Sequence, residues 1–108
     1  MTDLQTAAEN SAVIDTLHRF AAGIDLKDVA LLASAFTATA ISDFRPAAAK
    51  AGFEYPVLEG RDTIVGALSA ALGQLDTTHS VSNARVTLDG DNARLDALVE
   101  AQHVPQSD

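Results

Sequence analysis

The chain contains no cysteine. Disulfides, thiolate nucleophiles and thiolate metal sites are thereby excluded together, and the composition fits a reducing compartment. Basic residues are scarce: seven Lys and Arg stand against fifteen Asp and Glu, a formal net charge of −8. A nucleic-acid backbone repels such a surface, and no Lys/Arg cluster offsets the repulsion, so nucleic acid is not expected as a partner. Anionic membranes are disfavoured for the same reason. No apolar run approaches the ~20 residues that a membrane helix needs. Residues 1–10 are polar and lack the basic start and apolar centre of a signal peptide. A cytoplasmic address is the expectation that elimination leaves. Aromatic side chains are few, with Phe20, Phe36, Phe44 and Phe53 as the large pieces available to a core and Tyr55 the single tyrosine.

What is present is aliphatic. Hydrophobic residues make up 47% of the 108 positions, enough for one real core and too few residues for a second domain. Val13, Leu17, Phe20 and Ile24 recur at three- and four-residue steps and predict an amphipathic helix over residues 10–24. Asn10 or Ser11 is the expected cap, and Gly23 is expected to loosen the helix end. Asp28 can cap a second, shorter helix whose face is Val29, Leu32, Ala33 and Phe36. TATAISDF (37–44) reads as a strand. Residues 45–59 carry Pro46, Gly52 and Pro56 and read mostly as loop, with a short strand near Val57. GRDTIVGALSAALG (60–73) predicts a third helix, with Asp62 in the first turn where the helix dipole favours negative charge.

From Thr77 the period changes from helical to alternating. Asp89-Gly90-Asp91-Asn92 is a hairpin turn between strands predicted over 78–88 and 93–104. On the last strand Ala93, Leu95, Ala97, Val99 and Ala101 share one face, which gives it an unambiguous register. His103 has the same parity and is expected to point inward. The preceding strand conflicts with itself: His79 and Val81 have one parity, Val86 and Leu88 the other. Either His79 faces solvent or a bulge between Val81 and Val86 exchanges the faces, and the bend of a long strand around a pocket favours the bulge. Helices first and a long antiparallel hairpin last indicate an α+β arrangement, three helices packed on a curved, mostly antiparallel sheet.

The order of GIDLKD, FTATA, GRDTI, TTHSVSN and LDGDNA along the chain resembles that of SnoaL-like domains of the nuclear transport factor 2 superfamily. The resemblance spans residues 10–104 and is closest to the scytalone dehydratase-like group. It implies a cystatin-like α+β cone enclosing a pocket for a small, apolar, cyclic or polyketide-like molecule. It further implies a homodimer, no cofactor and no metal. Asp25, His79 and His103 match the family's catalytic Asp and two His. The implied chemistry is acid–base catalysis, in which the carboxylate orients and charge-tunes one imidazole while water is eliminated. Imidazole titrates near neutrality and can both accept and donate protons. Phe44, Phe53, Tyr55, Val81, Leu95 and Val99 are the expected substrate-binding residues. Two positions depart from the pattern, since Ile24 and Phe44 stand where the dehydratase has tyrosines. The resemblance also implies two further strands after His103, which the 108 residues are not expected to contain.

Other readings of these residues stay open. Asp25 can serve only to cap the turn that follows it, and His79 and His103 can be ordinary hydrogen-bonded strand histidines. His18 reads as a surface residue. Two imidazoles and a carboxylate could also take iron or zinc. The functional alternatives are therefore an acid–base lyase or isomerase and a non-catalytic ligand-binding or dimerisation module of the same fold.

Overall fold

The computed structural model describes residues 1–106. Helix α1 (Asp3–Asp25) begins earlier than the apolar periodicity predicts. Its start is a capping box: Gln5 N–H donates to Thr2 Oγ1 at 3.1 Å, and Thr2 N–H donates to Gln5 Oε1 at 2.7 Å. Neither Asn10 nor Ser11 caps it. The first two turns are polar and exposed, so they carry no hydrophobic stripe to read. At the other end Gly23 does not loosen the helix. A Cβ there would lie 2.6 Å from the Leu32 backbone, so glycine permits α1 to touch helix α2 (Val29–Ser34). The chain reverses through Lys27, which has φ 54°. Lys27 N–H donates to the Ile24 carbonyl and Asp28 N–H to that of Gly23, the paired bonds of a Schellman end. Asp28 then caps α2 as expected, accepting from Leu31 N–H at 3.0 Å.

The middle of the chain differs most from expectation. The strand foreseen over 37–44 contracts to β1 (Ile41–Ser42), paired antiparallel with β2 (Leu58–Glu59). Between them the predicted loop contains a short helix, α3 (Arg45–Lys50). Pro46 does not prevent it, because a proline in the first turn withholds an N–H that would have no helical partner. Helix α4 (Arg61–Leu72) follows, one residue inside the predicted limit at each end.

Strands β3 (Leu75–Asp89) and β4 (Asn92–Pro105) form one long antiparallel hairpin, turned at Gly90 with φ 58°. The register is continuous from Leu75↔Pro105 to Ser82↔Leu98, shifts, and resumes at Arg85↔Asp96. The predicted bulge is therefore present, and Asn83 within it has φ 54°. It places Thr77, His79 and Val81 on the same face as Val86 and Leu88.

Ile24, Leu32 and Val65 form a buried cluster, flanked by Phe20, Ala33, Phe36, Leu68 and Leu72. Ile64 is fully enclosed. Phe44 and Phe53 are exposed and are not core pieces, and Val29 is exposed on α2. Helix α1 lies along β3 and barely reaches β4. The result is an α+β molecule with four helices, and its two ladders are each two-stranded among the described residues.

Candidate active site

Asp25 is the last residue of α1, so its carboxylate leaves the helix at the point where α1 meets β3. A carboxylate gains nothing from the negative end of a helix dipole. Here the sheet supplies the compensation. Asp25 Oδ2 accepts the backbone N–H of His79 at 2.8 Å. Oδ1 accepts the Thr77 hydroxyl at 2.9 Å and lies 2.7 Å from His79 Nδ1. Partial burial pushes the Asp25 carboxyl up, but the bonds from the His79 ring, the His79 amide and the Thr77 hydroxyl outweigh it. The net value lies below that of an ordinary carboxyl. An ionised carboxylate only accepts, which puts a proton on His79 Nδ1. In the neutral imidazole Nε2 is then left as a free base.

The His79 side chain is 8% exposed and that of Asp25 is 22% exposed. Phe20 of α1 packs edge-on against the His79 ring, centroids 6.4 Å apart, and in the same manner against Phe36 at 6.0 Å. The imidazole thus rests on the edge of the apolar core. His103 approaches the same ring to a centroid distance of 5.6 Å.

His103 has the inward parity that the alternation predicts but is not enclosed. It shares the face of His79, because Thr77 is its cross-strand partner, yet it is exposed. Helix α1 covers β3, so the same face of β4 beyond Ala97 has no helix above it. Val99, paired with Val81, is 49% exposed for the same reason. Leu95 instead lines an open cleft of about 320 Å³ with Val13, Leu17, Phe20 and Phe36. A second cavity, of about 200 Å³, lies among Ile24, Leu32, Leu68 and Leu72. Neither includes Asp25, His79 or His103, so these two clefts are not the shared pocket foreseen for the three residues. Phe44 and Tyr55 form an edge-to-face pair at 6.3 Å. With Phe53 they belong to the α3 excursion, whose β1–β2 ladder packs on α4 rather than on the hairpin. The structure therefore brings Asp25, His79 and His103 together and leaves Phe44, Phe53 and Tyr55 as a separate group. Ile24, at the position of a family tyrosine, is buried in the core. Among the described residues no three His, Asp or Glu side chains are arranged to hold a metal ion.

A family model described as the SnoaL-like domain matches residues 5–108. The chain belongs to the SnoaL-like domain family. Comparison with curated proteins found no match. Among solved structures, this SnoaL-like chain is similar to a Kribbella flavida protein at 27% identity and a TM-score of 0.76, over 93% of this chain and 67% of that one. A candidate scytalone dehydratase from Novosphingobium aromaticivorans has the same TM-score at 21% identity, over 100% and 68% of the two chains. A candidate dehydratase of the NTF2-like family from Streptomyces avermitilis matches at 16% identity and a TM-score of 0.65, over 94% and 80%. These likenesses establish the α+β cone.

Two residues of the site were not foreseen. Thr77 is on the face of His79, two residues away, and strand alternation alone would have found it. Phe20 was legible only as a core residue, because its contact with His79 joins positions far apart in sequence.

Proposed function

We propose that this SnoaL-like domain is a cofactor-independent acid–base lyase or isomerase acting on a small, apolar, cyclic or polyketide-like molecule. The Asp25–His79 pair carries this reading: a carboxylate on Nδ1 leaves Nε2 as a base beside the second imidazole of His103. His79 Nε2 removes a proton next to a carbonyl, Asp25 stabilises the imidazolium that forms, and His103 donates to the departing or shifting oxygen. His103, being exposed, is open to a substrate from outside. The names of the dehydratase-like neighbours agree with an elimination, but Ile24 and Phe44 put no hydroxyl where the dehydratase pattern has one. An isomerisation or cyclisation by the same proton transfer fits these residues equally well.

The test is a panel of small cyclic β-hydroxyketones, followed by the absorbance of the conjugated enone. His79→Ala is expected to lower turnover by about 10²–10⁴-fold, the usual contribution of one general base, in a protein that still folds. Unchanged turnover in that variant removes His79 as the base. A non-catalytic ligand-binding domain is favoured by one observation, the lack of a tyrosine at both family positions. It predicts ligand binding by calorimetry without product.

A further inference from the structure

Asp25 is held by more bonds than an orienting carboxylate requires. Its Oδ2 is anchored by the His79 amide at 2.8 Å. A carboxylate fixed at one oxygen by one bond can still rock about that contact and carry the other oxygen out of the imidazole plane. The Thr77 hydroxyl, 2.9 Å from Oδ1, is the second point of fixation, and it is independent of the ring. Thr77 is buried on the face that α1 covers, and it lies between His79 on its own strand and His103 across the ladder. A valine would suit a buried strand position at least as well on propensity and volume. Only the hydroxyl distinguishes threonine there, and it goes to Asp25. β-Branching restricts the Thr77 rotamer, so its donor is ordered without help from the ring.

We propose that Thr77 is a positioning residue whose hydroxyl holds Asp25 Oδ1 on His79 Nδ1 and so selects the tautomer with a free Nε2. This deepens the acid–base reading above and rests on it for its catalytic consequence, though not for its structural one. The titratable groups facing His79 are Asp25 from α1 and His103 from β4. Lys27, at the end of α1, binds the Leu75 carbonyl at the start of β3 and brings a fixed positive charge to the same end of the hairpin. Of these only Asp25 is bonded to the Thr77 hydroxyl, so a change at His79 on replacing Thr77 reports the bond lost by that carboxylate.

The experiment is ¹⁵N NMR of the histidine rings over a pH titration, in the natural protein and in Thr77→Val, Thr77→Ala and Thr77→Ser. The natural protein should show His79 Nδ1 protonated and Nε2 bare in its neutral form. In Thr77→Val the balance between tautomers should move toward Nε2–H by about five- to tenfold, the effect of one ordinary hydrogen bond. Thr77→Ser should restore it. Where Thr77→Val lowers folding, Thr77→Ala gives the same reading without a methyl group against the carboxylate. On an accepted substrate, kcat should fall by a similar factor with KM unchanged, and the pH–rate profile should shift. An identical ring-nitrogen pattern and pH titration in the folded Thr77→Val or Thr77→Ala protein overturns the proposal. If His79→Ala leaves turnover intact while the tautomer still follows Thr77, the acid–base reading fails and the positioning role stands.

Discussion

Three donors converge on the two oxygens of Asp25, and all three favour the charged carboxylate. Because the folded carboxyl titrates below its ordinary value of 3.8, its stabilising contribution is present above that value. The contribution is lost as pH falls through the lower, folded value. Asp25→Asn offers one oxygen to three donors and is expected to cost about 1–3 kcal/mol near neutral pH, the penalty of a buried unpaired donor. Urea melts of the two proteins at pH 6 and pH 3 check the sign: the gap between them should narrow in acid. A constant gap would show that the carboxylate charge is not what binds the end of α1 to β3. Asp25 and His79 were legible because each stands in a recognisable stretch, GIDLKD and TTHSVSN. The exposure of His103 was not, since parity reveals which face a residue shares but not how far a neighbouring helix extends.

At the scale of elements, the site depends on α1 ending where it does. Gly23 sits against the Leu32 backbone, and a methyl group there would collide at 2.6 Å. Gly23→Ala should therefore separate α1 from α2, with a cost of about 1–3 kcal/mol from overpacking, and should displace Asp25 two residues on. Thermal melting measures the first effect, and loss of the His79 tautomer preference in ¹⁵N spectra measures the second. The left-handed Lys27 is compensated by its bond to the Leu75 carbonyl, which ties the end of α1 to the start of β3. The elements with strong periodicity or caps, α2, α4 and the hairpin, were legible in the sequence. In the 37–59 region the two short strands were legible in place but not in length, since the threonines have no long partner strand, and α3 was not, since Pro46 sits in a first turn that can accept it. The start of α1 was written in the Thr2–Gln5 capping box rather than in hydrophobicity.

The whole molecule is elongated, with extents of 51 × 28 × 26 Å and a radius of gyration of 15.1 Å. A compact chain of this length would have a radius of gyration of about 13 Å. The excess comes from the hairpin: the fifteen residues of β3 span about 50 Å at the usual strand rise. Its outer parts expose Leu98, Val99 and Val104, and β4 has an unpaired edge among the described residues. Exposed apolar strands with a free edge tend to associate, so we expect a homodimer by light scattering at micromolar concentration. Replacing Leu98 and Val104 by Lys should return the protein to a monomer. No helix among the described residues is long and apolar enough to cross a membrane. The overall class was legible because alternation and helical period occupy separate halves of the chain.

The extra residue at the Asn83 bulge has the effect of a phase shift in the strand. On its Leu75 side odd-numbered positions look toward α1; on its Asp89 side even-numbered ones do. Deleting Asn83 would restore an unbroken two-residue rhythm and force a choice. If Val86 and Leu88 kept their place, Thr77 and His79 would rotate to the opposite surface, and the base would leave its carboxylate with no change in the helix that holds it. Such a protein could keep its melting curve and yet have no Asp25–His79 pair.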